Sequence, residues 1–160
     1  MHSHPSAQPL TSPPPAPIPG PVAWLGYGGL LPFVALAAVG LWAPSTPWWS
    51  AALLAYGAVI LSFVGALHWG FAMALSGLST AERTRCFVWS VVPSLMAWPA
   101  TVLPPAAGSL LLITGFAAHL VQDHRLAART SLPTWYLPLR WRLTTTACVC
   151  LAVGAMAASR

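Results

Sequence analysis

The chain has 160 residues, 57% of them hydrophobic and 6% charged, whereas soluble domains carry about a quarter of their residues as charges. Seven Arg, no Lys and two acidic residues give a net charge of +5. This composition excludes a water-soluble surface. Because the Arg flank apolar runs instead of forming a stripe on an independent domain, it also excludes a nucleic-acid partner.

In chain order, Met1 to Pro21 holds eight Pro and neither Arg nor Lys. It lacks the positive region and short apolar stretch of a signal peptide, so a disordered, partly polyproline-II tail is expected. Two histidines in that tail, His2 and His4, are too few to build a metal site.

The first span runs from about Val22 to Ala43, with Trp24 and Trp42 at its edges as in an aromatic belt. Gly26, Gly28, Gly29 and Pro32 predict a kink in its first half. The second span covers about Ser50 to Leu75 and is long enough to tilt. Ala58, Ser62, Ala66, Gly70 and Ala74 recur within it every four residues, a spacing that lets another helix backbone approach closely. Residues 76–85 read as a polar loop holding Glu82, Arg83 and Arg85.

The third span is about Cys86 to Leu103, interrupted by Pro93 and Pro99. Pro104-Pro105 makes a hairpin turn into the fourth, about Ala107 to Gln122. At sixteen residues the fourth is short, so Asp123, His124 and Arg125 are expected at the interface. Residues 123–142 form the longest internal connection. Its Trp135 and Tyr136, with Trp141 nearby, suggest a segment lying at headgroup level, over about 132–141. The last span is about Leu143 to Ala158.

The expected fold is therefore all-α, a polytopic transmembrane helical bundle of five spans, about 22–43, 50–75, 86–103, 107–122 and 143–158. Five spans put six Arg on the side of the amino terminus and only Arg160 on the other. The positive-inside rule then makes the amino terminus cytoplasmic. Anionic lipid headgroups on that side are the expected partners, with a membrane-protein partner or a homo-oligomer through the small-residue faces, Gly65 and Gly115 included.

Several strings carry a resemblance. Leu25-Gly-Tyr-Gly-Gly-Leu-Leu-Pro-Phe, Tyr56-Gly-Ala-Val-Ile-Leu-Ser-Phe-Val-Gly-Ala-Leu-His-Trp-Gly and Trp89-Ser-Val-Val-Pro-Ser-Leu are three of them. Gly115-Phe, Asp123-His-Arg and Leu132-Pro-Thr-Trp-Tyr-Leu-Pro-Leu-Arg are the others. As a set they resemble the membrane-protein family related to transmembrane protein sixty-nine, found in bacteria and in eukaryotic organelles, over roughly residues 22–158. The resemblance implies a multi-span domain of unknown function and brings no assigned catalytic or binding residue. The Arg-only, Ala- and Pro-rich composition favours a GC-rich bacterial genome, hence a bacterial inner membrane, with a mitochondrial inner membrane as the alternative.

Chemistry concentrates on two histidines. An ionisable side chain in hydrocarbon is costly and is functional or paired, and His68 and His119 both fall in the cytoplasmic half of the bilayer. Helical phase aligns His68 with Gly57, Leu61 and Gly65, and His119 with Gly108, Gly115 and Gln122. With Tyr27, Ser90 and Ser94 at similar depth, a polar pocket of Tyr27, His68, Ser90, Ser94, His119 and Gln122 is expected. Arg83, Arg85, Asp123 and Arg125 would stand at its mouth or at the interface. The plainer alternative is that each histidine makes one helix-to-helix hydrogen bond.

Two imidazoles fall short of the three or four protein ligands of a zinc site, so neither a metal nor another cofactor is predicted. Cys86, Cys148 and Cys150 form no disulfide framework and read as packing residues. Glu82 and Asp123, the only side-chain carboxylates, each lie beside Arg, which favours salt bridges over catalysis. No catalytic residue is named, and an enzyme is the less favoured class. An accessory or assembly role through helix contacts is slightly preferred. The alternative is a proton or small-solute carrier or channel working through the histidine pocket, ahead of a haem- or quinone-associated protein.

Overall fold

The computed structural model describes residues 17–46 and 48–160. Most of the proline-rich tail, with His2 and His4, lies outside the described residues. Six helices follow: α1 (Gly20–Gly28), α2 (Leu31–Trp42), α3 (Trp48–Ala74), α4 (Thr80–Ala100), α5 (Pro105–Ala127) and α6 (Tyr136–Ala158). The chain is an all-α, polytopic helical membrane bundle. Four units are long and apolar enough to cross a bilayer: α1 with α2 taken together, α3, α5 and α6. The helix α4 has similar length but opens on Glu82, Arg83 and Arg85 and contains Pro93 and Pro99.

Three helix boundaries differ from the expected spans, each for a local reason. First, the chain breaks between α1 and α2 at Gly29-Leu30. Pro32 lacks an N–H to continue the ladder, and the Tyr56 hydroxyl donates to the Gly29 carbonyl at 2.8 Å. Second, α4 starts at Thr80. Ser79 accepts from the Glu82 amide while the Glu82 carboxylate accepts from the Ser79 amide at 3.0 Å, a capping box that turns the expected polar loop into helix. Third, α5 continues to Ala127 and α6 begins at Tyr136. Asp123 to Arg125 are therefore helical, and most of the expected headgroup segment at 132–141 is the first turns of α6.

The core has two parts. The larger is apolar, built on Phe33, Trp49, Leu53, Leu61, Leu112 and Leu151. Glycines set its tightness. A Cβ on Gly108 would lie 2.5 Å from the Ala100 carbonyl oxygen, and one on Gly65 would lie 2.8 Å from the Pro93 ring. The rigid Pro93, fully buried inside α4, is thus accepted by the missing side chain of α3. The smaller part, Ala72, Leu78, Cys86 and Leu126 with Phe71, Phe87 and Leu132 against it, closes the end of the bundle where α3 and α5 finish and α4 and α6 start. Arg83, Arg85, Arg125, Arg129, Arg140 and Arg142 are all at this charged end.

The four-residue stripe on α3 does not form one packing face. Ala58 is buried and Ser62 half-buried, but Ala66, Gly70 and Ala74 are exposed. Steps of four advance about 40° around a helix of 3.6 residues per turn, so the row winds from the interior to the outside. The inward face is instead Gly57, Leu61, Gly65, His68 and Ala72.

Candidate functional site

Between the two parts of the core lies a wholly buried polar centre. His68 on α3 and His119 and Asp123 on α5 each have no exposed surface. The two imidazoles meet edge to face with centroids 4.8 Å apart. Their Nε2 atoms stand 3.9 Å (His68) and 3.6 Å (His119) from Asp123 Oδ1. One turn separates His119 from Asp123, so helical spacing alone stacks them on one face of α5.

Asp123 is held from α6. Arg140 donates from Nε to Oδ2 at 2.7 Å, and the Tyr136 hydroxyl donates to Oδ1 at 3.0 Å. A charged donor and a second hydrogen bond thus compensate the carboxylate where water does not reach it. His119 is held from α4, where Trp89 donates its indole Nε1–H to His119 Nδ1 at 3.0 Å. An indole only donates, so Nδ1 carries no proton and neutral His119 is protonated at Nε2, facing Asp123. His68 is held by shape alone. Neither of its ring nitrogens has a hydrogen-bond partner.

Six buried polar side-chain atoms among the described residues lack partners. Five belong to this neighbourhood: both nitrogens of His68, Nε2 of His119, Nη2 of Arg140 and Oγ1 of Thr144. Buried groups are normally satisfied, and a half-satisfied polar network is worse for stability than an apolar core. His68, His119 and Asp123 offer ligand atoms within 4.8 Å of one another, close enough to share an ion. The surrounding chemistry opposes a divalent metal, because Trp89 leaves the proton on the ligating Nε2 of His119 and Arg140 places a positive charge beside Asp123. It suits a proton or a water.

The expected pocket is assembled only in part. His68 and His119 converge, and Ser90 is buried nearby with its hydroxyl donating to the Phe87 carbonyl at 2.7 Å. Ser94 is half-buried. Gln122 is buried but lines a separate small hollow with Glu82, Arg85 and Arg125. Tyr27 is exposed, and its hydroxyl accepts from Arg142 at 3.1 Å.

The expected mouth needs correction as well. Asp123 is not at a mouth but at the centre, since α5 runs four residues beyond it. Arg83 is a helix cap, donating to the Ala72 and Leu75 carbonyls at the end of α3, which otherwise have no helical partner. Arg85 and Arg125 are exposed. Of the expected packing positions, Ala58, Gly65 and Gly115 face the interior.

Sequence reasoning missed Tyr136, Arg140 and Trp89. A signal existed for the first two. Tyr136, Arg140 and Thr144 recur at one-turn spacing, a polar face on an apolar helix, hidden because residues 132–141 read as an interfacial segment. Trp89 is indistinguishable in sequence from a belt tryptophan.

These features define a polytopic helical membrane protein with an occluded, charged centre beneath one end. Residues 18–156 match the family described as "Protein of unknown function (DUF3429)", and the chain belongs to that family. It is also 34% identical over 135 residues to Transmembrane protein 69 of Xenopus tropicalis, an alignment covering 81% of this chain. The chain spans about half (51%) of that relative's length. No solved structure matches it.

Proposed function

We propose that this protein is a small proton carrier of an inner membrane, with His68 as the group that takes up and releases the proton. The supporting observation is the buried triad of His68, His119 and Asp123, in which His68 alone has both nitrogens unbonded. Asp123 is committed to Arg140 and Tyr136, and the Trp89 bond disfavours a second proton on His119, because two donors would then face each other. His68 can accept a proton at a free nitrogen, and the resulting cation is attracted by the Asp123 carboxylate 3.9 Å away. The titratable and charged groups around it are His119 and Asp123 from α5, with Arg140 and Tyr136 from α6 bound to that carboxylate. The charge of Arg140 is already compensated by Asp123.

The centre lies roughly 6–12 Å inside the ends of α3 and α5, counting 1.5 Å per residue, behind the seal of Ala72, Leu78, Cys86 and Leu126. Transport then requires that seal to open, so the structure corresponds to an occluded state. The same reading takes α4 as a fifth span and the charged end as cytoplasmic, following the positive-inside rule. It sets the protein in a bacterial inner membrane, or in the mitochondrial inner membrane as the alternative. An accessory role through helix contacts has less support, because Gly65 and Gly115 face inward and only Ala66, Gly70 and Ala74 remain on the outside.

The test is potential-driven proton entry into liposomes holding the full chain and a trapped pH dye. Wild type should acidify the lumen faster than protein-free vesicles, His68→Gln should lose at least about tenfold, and Ala66→Leu should match wild type. Equal rates for wild type and protein-free vesicles, or for wild type and His68→Gln, would overturn the proposal.

A further inference from the structure

A groove of about 890 Å³ runs along the outside of the bundle between α5 and α6. Its walls are almost entirely apolar, among them Ile113, Ala117 and Val121 from α5 and Val149 and Ala152 from α6. Its polar groups gather towards the charged end, where His124, Arg125 and Trp141 line it, with Thr145 one turn deeper.

We infer that this groove is a binding site for one anionic phospholipid of the leaflet at the charged end. The phosphate sits at Arg125, the glycerol ester beside Thr145, and an acyl chain lies along the apolar walls. Three observations select this occupant. The first is length. From Arg125 to Ile113 is twelve residues, roughly 18 Å of helix, enough to follow one lipid through its half of a hydrocarbon layer about 30 Å thick.

The second is charge. Trp141 donates its Nε1–H to His124 Nε2 at 3.0 Å, and His124 Nδ1 lies 2.9 Å from the Leu120 carbonyl. A donor on one side and a carbonyl on the other place the His124 proton on Nδ1 and leave Nε2 as an acceptor. Arg125 is then the cation of the groove. It is exposed, and no hydrogen bond or ion pair engages it among the described residues.

The third is a free hydroxyl. Thr145 lines the groove and is exposed, and no hydrogen bond engages its side chain among the described residues. It lies four residues, roughly 6 Å, deeper than Trp141. An ester carbonyl one step below a phosphate is an acceptor at that depth. A zwitterionic lipid would offer the same ester but would neutralise its own phosphate, and a quinone would make no use of Arg125. The site is on the outer face and does not depend on proton transfer at His68.

The test is native mass spectrometry of the full chain in mild detergent with equal amounts of phosphatidylglycerol and phosphatidylcholine. One phosphatidylglycerol should be retained in preference to phosphatidylcholine. Arg125→Ala should weaken its retention about fivefold, the equivalent of about 1 kcal/mol for one Arg near a membrane surface. Ala117→Trp, which fills the groove, should abolish retention, Thr145→Val should reduce it, and Ala66→Leu on the exposed face of α3 should leave it intact. Equal retention of the two lipids, undiminished phosphatidylglycerol in Ala117→Trp, or displacement of the lipid by a neutral quinone would each overturn the inference.

Discussion

The two ends of this bundle solve the same packing problem with opposite chemistry. Towards the turn at Pro104-Pro105, helices are fitted by shape, with Gly40 and Gly154 admitting Trp49 and Leu53 and Gly108 set against the Ala100 carbonyl. Towards the charged end the same helices are joined by ionised and hydrogen-bonding groups, Asp123 with Arg140 and Tyr136, His119 with Trp89. Inside a membrane, shape is the cheaper device, because lipid-soluble side chains need no desolvation. A buried ion pair is weak evidence for stability, and five polar atoms left unpaired around it add to its cost. The difference teaches that the polar end is built at a cost in stability that the apolar end does not incur.

That contrast is breakable. The largest effect is expected at Asp123. Asp123→Leu leaves Arg140 buried and uncompensated, and should cost about 3–5 kcal/mol in detergent unfolding as well as proton flux. The double variant Asp123→Leu/Arg140→Met should recover much of the stability and none of the flux. Recovery of both would show the pair to be structural only.

Next comes the apolar end, where Gly108→Ala forces a methyl against a carbonyl oxygen and should cost about 1–3 kcal/mol. Flux per folded molecule should be unchanged, since the substitution is far from His68. A fall in flux greater than the fall in folded protein would erase the division of labour between the two ends.

The two histidines sharpen the comparison at about 1 kcal/mol. His119→Leu strands the Trp89 indole and should destabilise by about that amount. His68→Leu removes a ring that bonds to nothing, so unfolding should be unchanged or slightly later while flux is lost. A buried residue whose removal helps the fold and ends the activity is the signature of a functional group.

The smallest effect belongs to the capping box of α4. The Ser79 hydroxyl and amide bonds, with a lesser contribution from Arg129, hold the Glu82 carboxyl below its usual range. A carboxylate lowered by folding stabilises at pH above its unfolded value, about 4.3, and that contribution disappears as pH falls through the lowered folded value. Thermal unfolding should therefore show a small loss on acidification below about pH 4 that Ser79→Ala abolishes.

Much of the architecture is legible in one dimension. The apolar runs, the tryptophan edges and the proline turn at Pro104-Pro105 are local, and they give an all-α membrane bundle with the charge gathered at one end. The kink near Gly29 also follows from residues adjacent in sequence. The helix starts were less legible. A capping box at Ser79 and Glu82 is a sequence signal, yet three charged residues made it read as loop, and the Tyr136 turn was obscured by the prolines on either side of it.

The site divides in the same way. The sequence by itself determined that His68 and His119 lie at similar depth with glycines on their faces, because burial cost and helical phase are properties of a single helix. Only the tertiary structure decided that they touch, that Asp123 lies between them and α6 rather than at a mouth, and that Arg140, Tyr136 and Trp89 complete the centre. The reason is physical. Which hydrogen bonds close a buried network depends on which helices are neighbours and how they are rotated, and that is set by packing across the bundle at positions such as Gly65 against Pro93, not by any one segment.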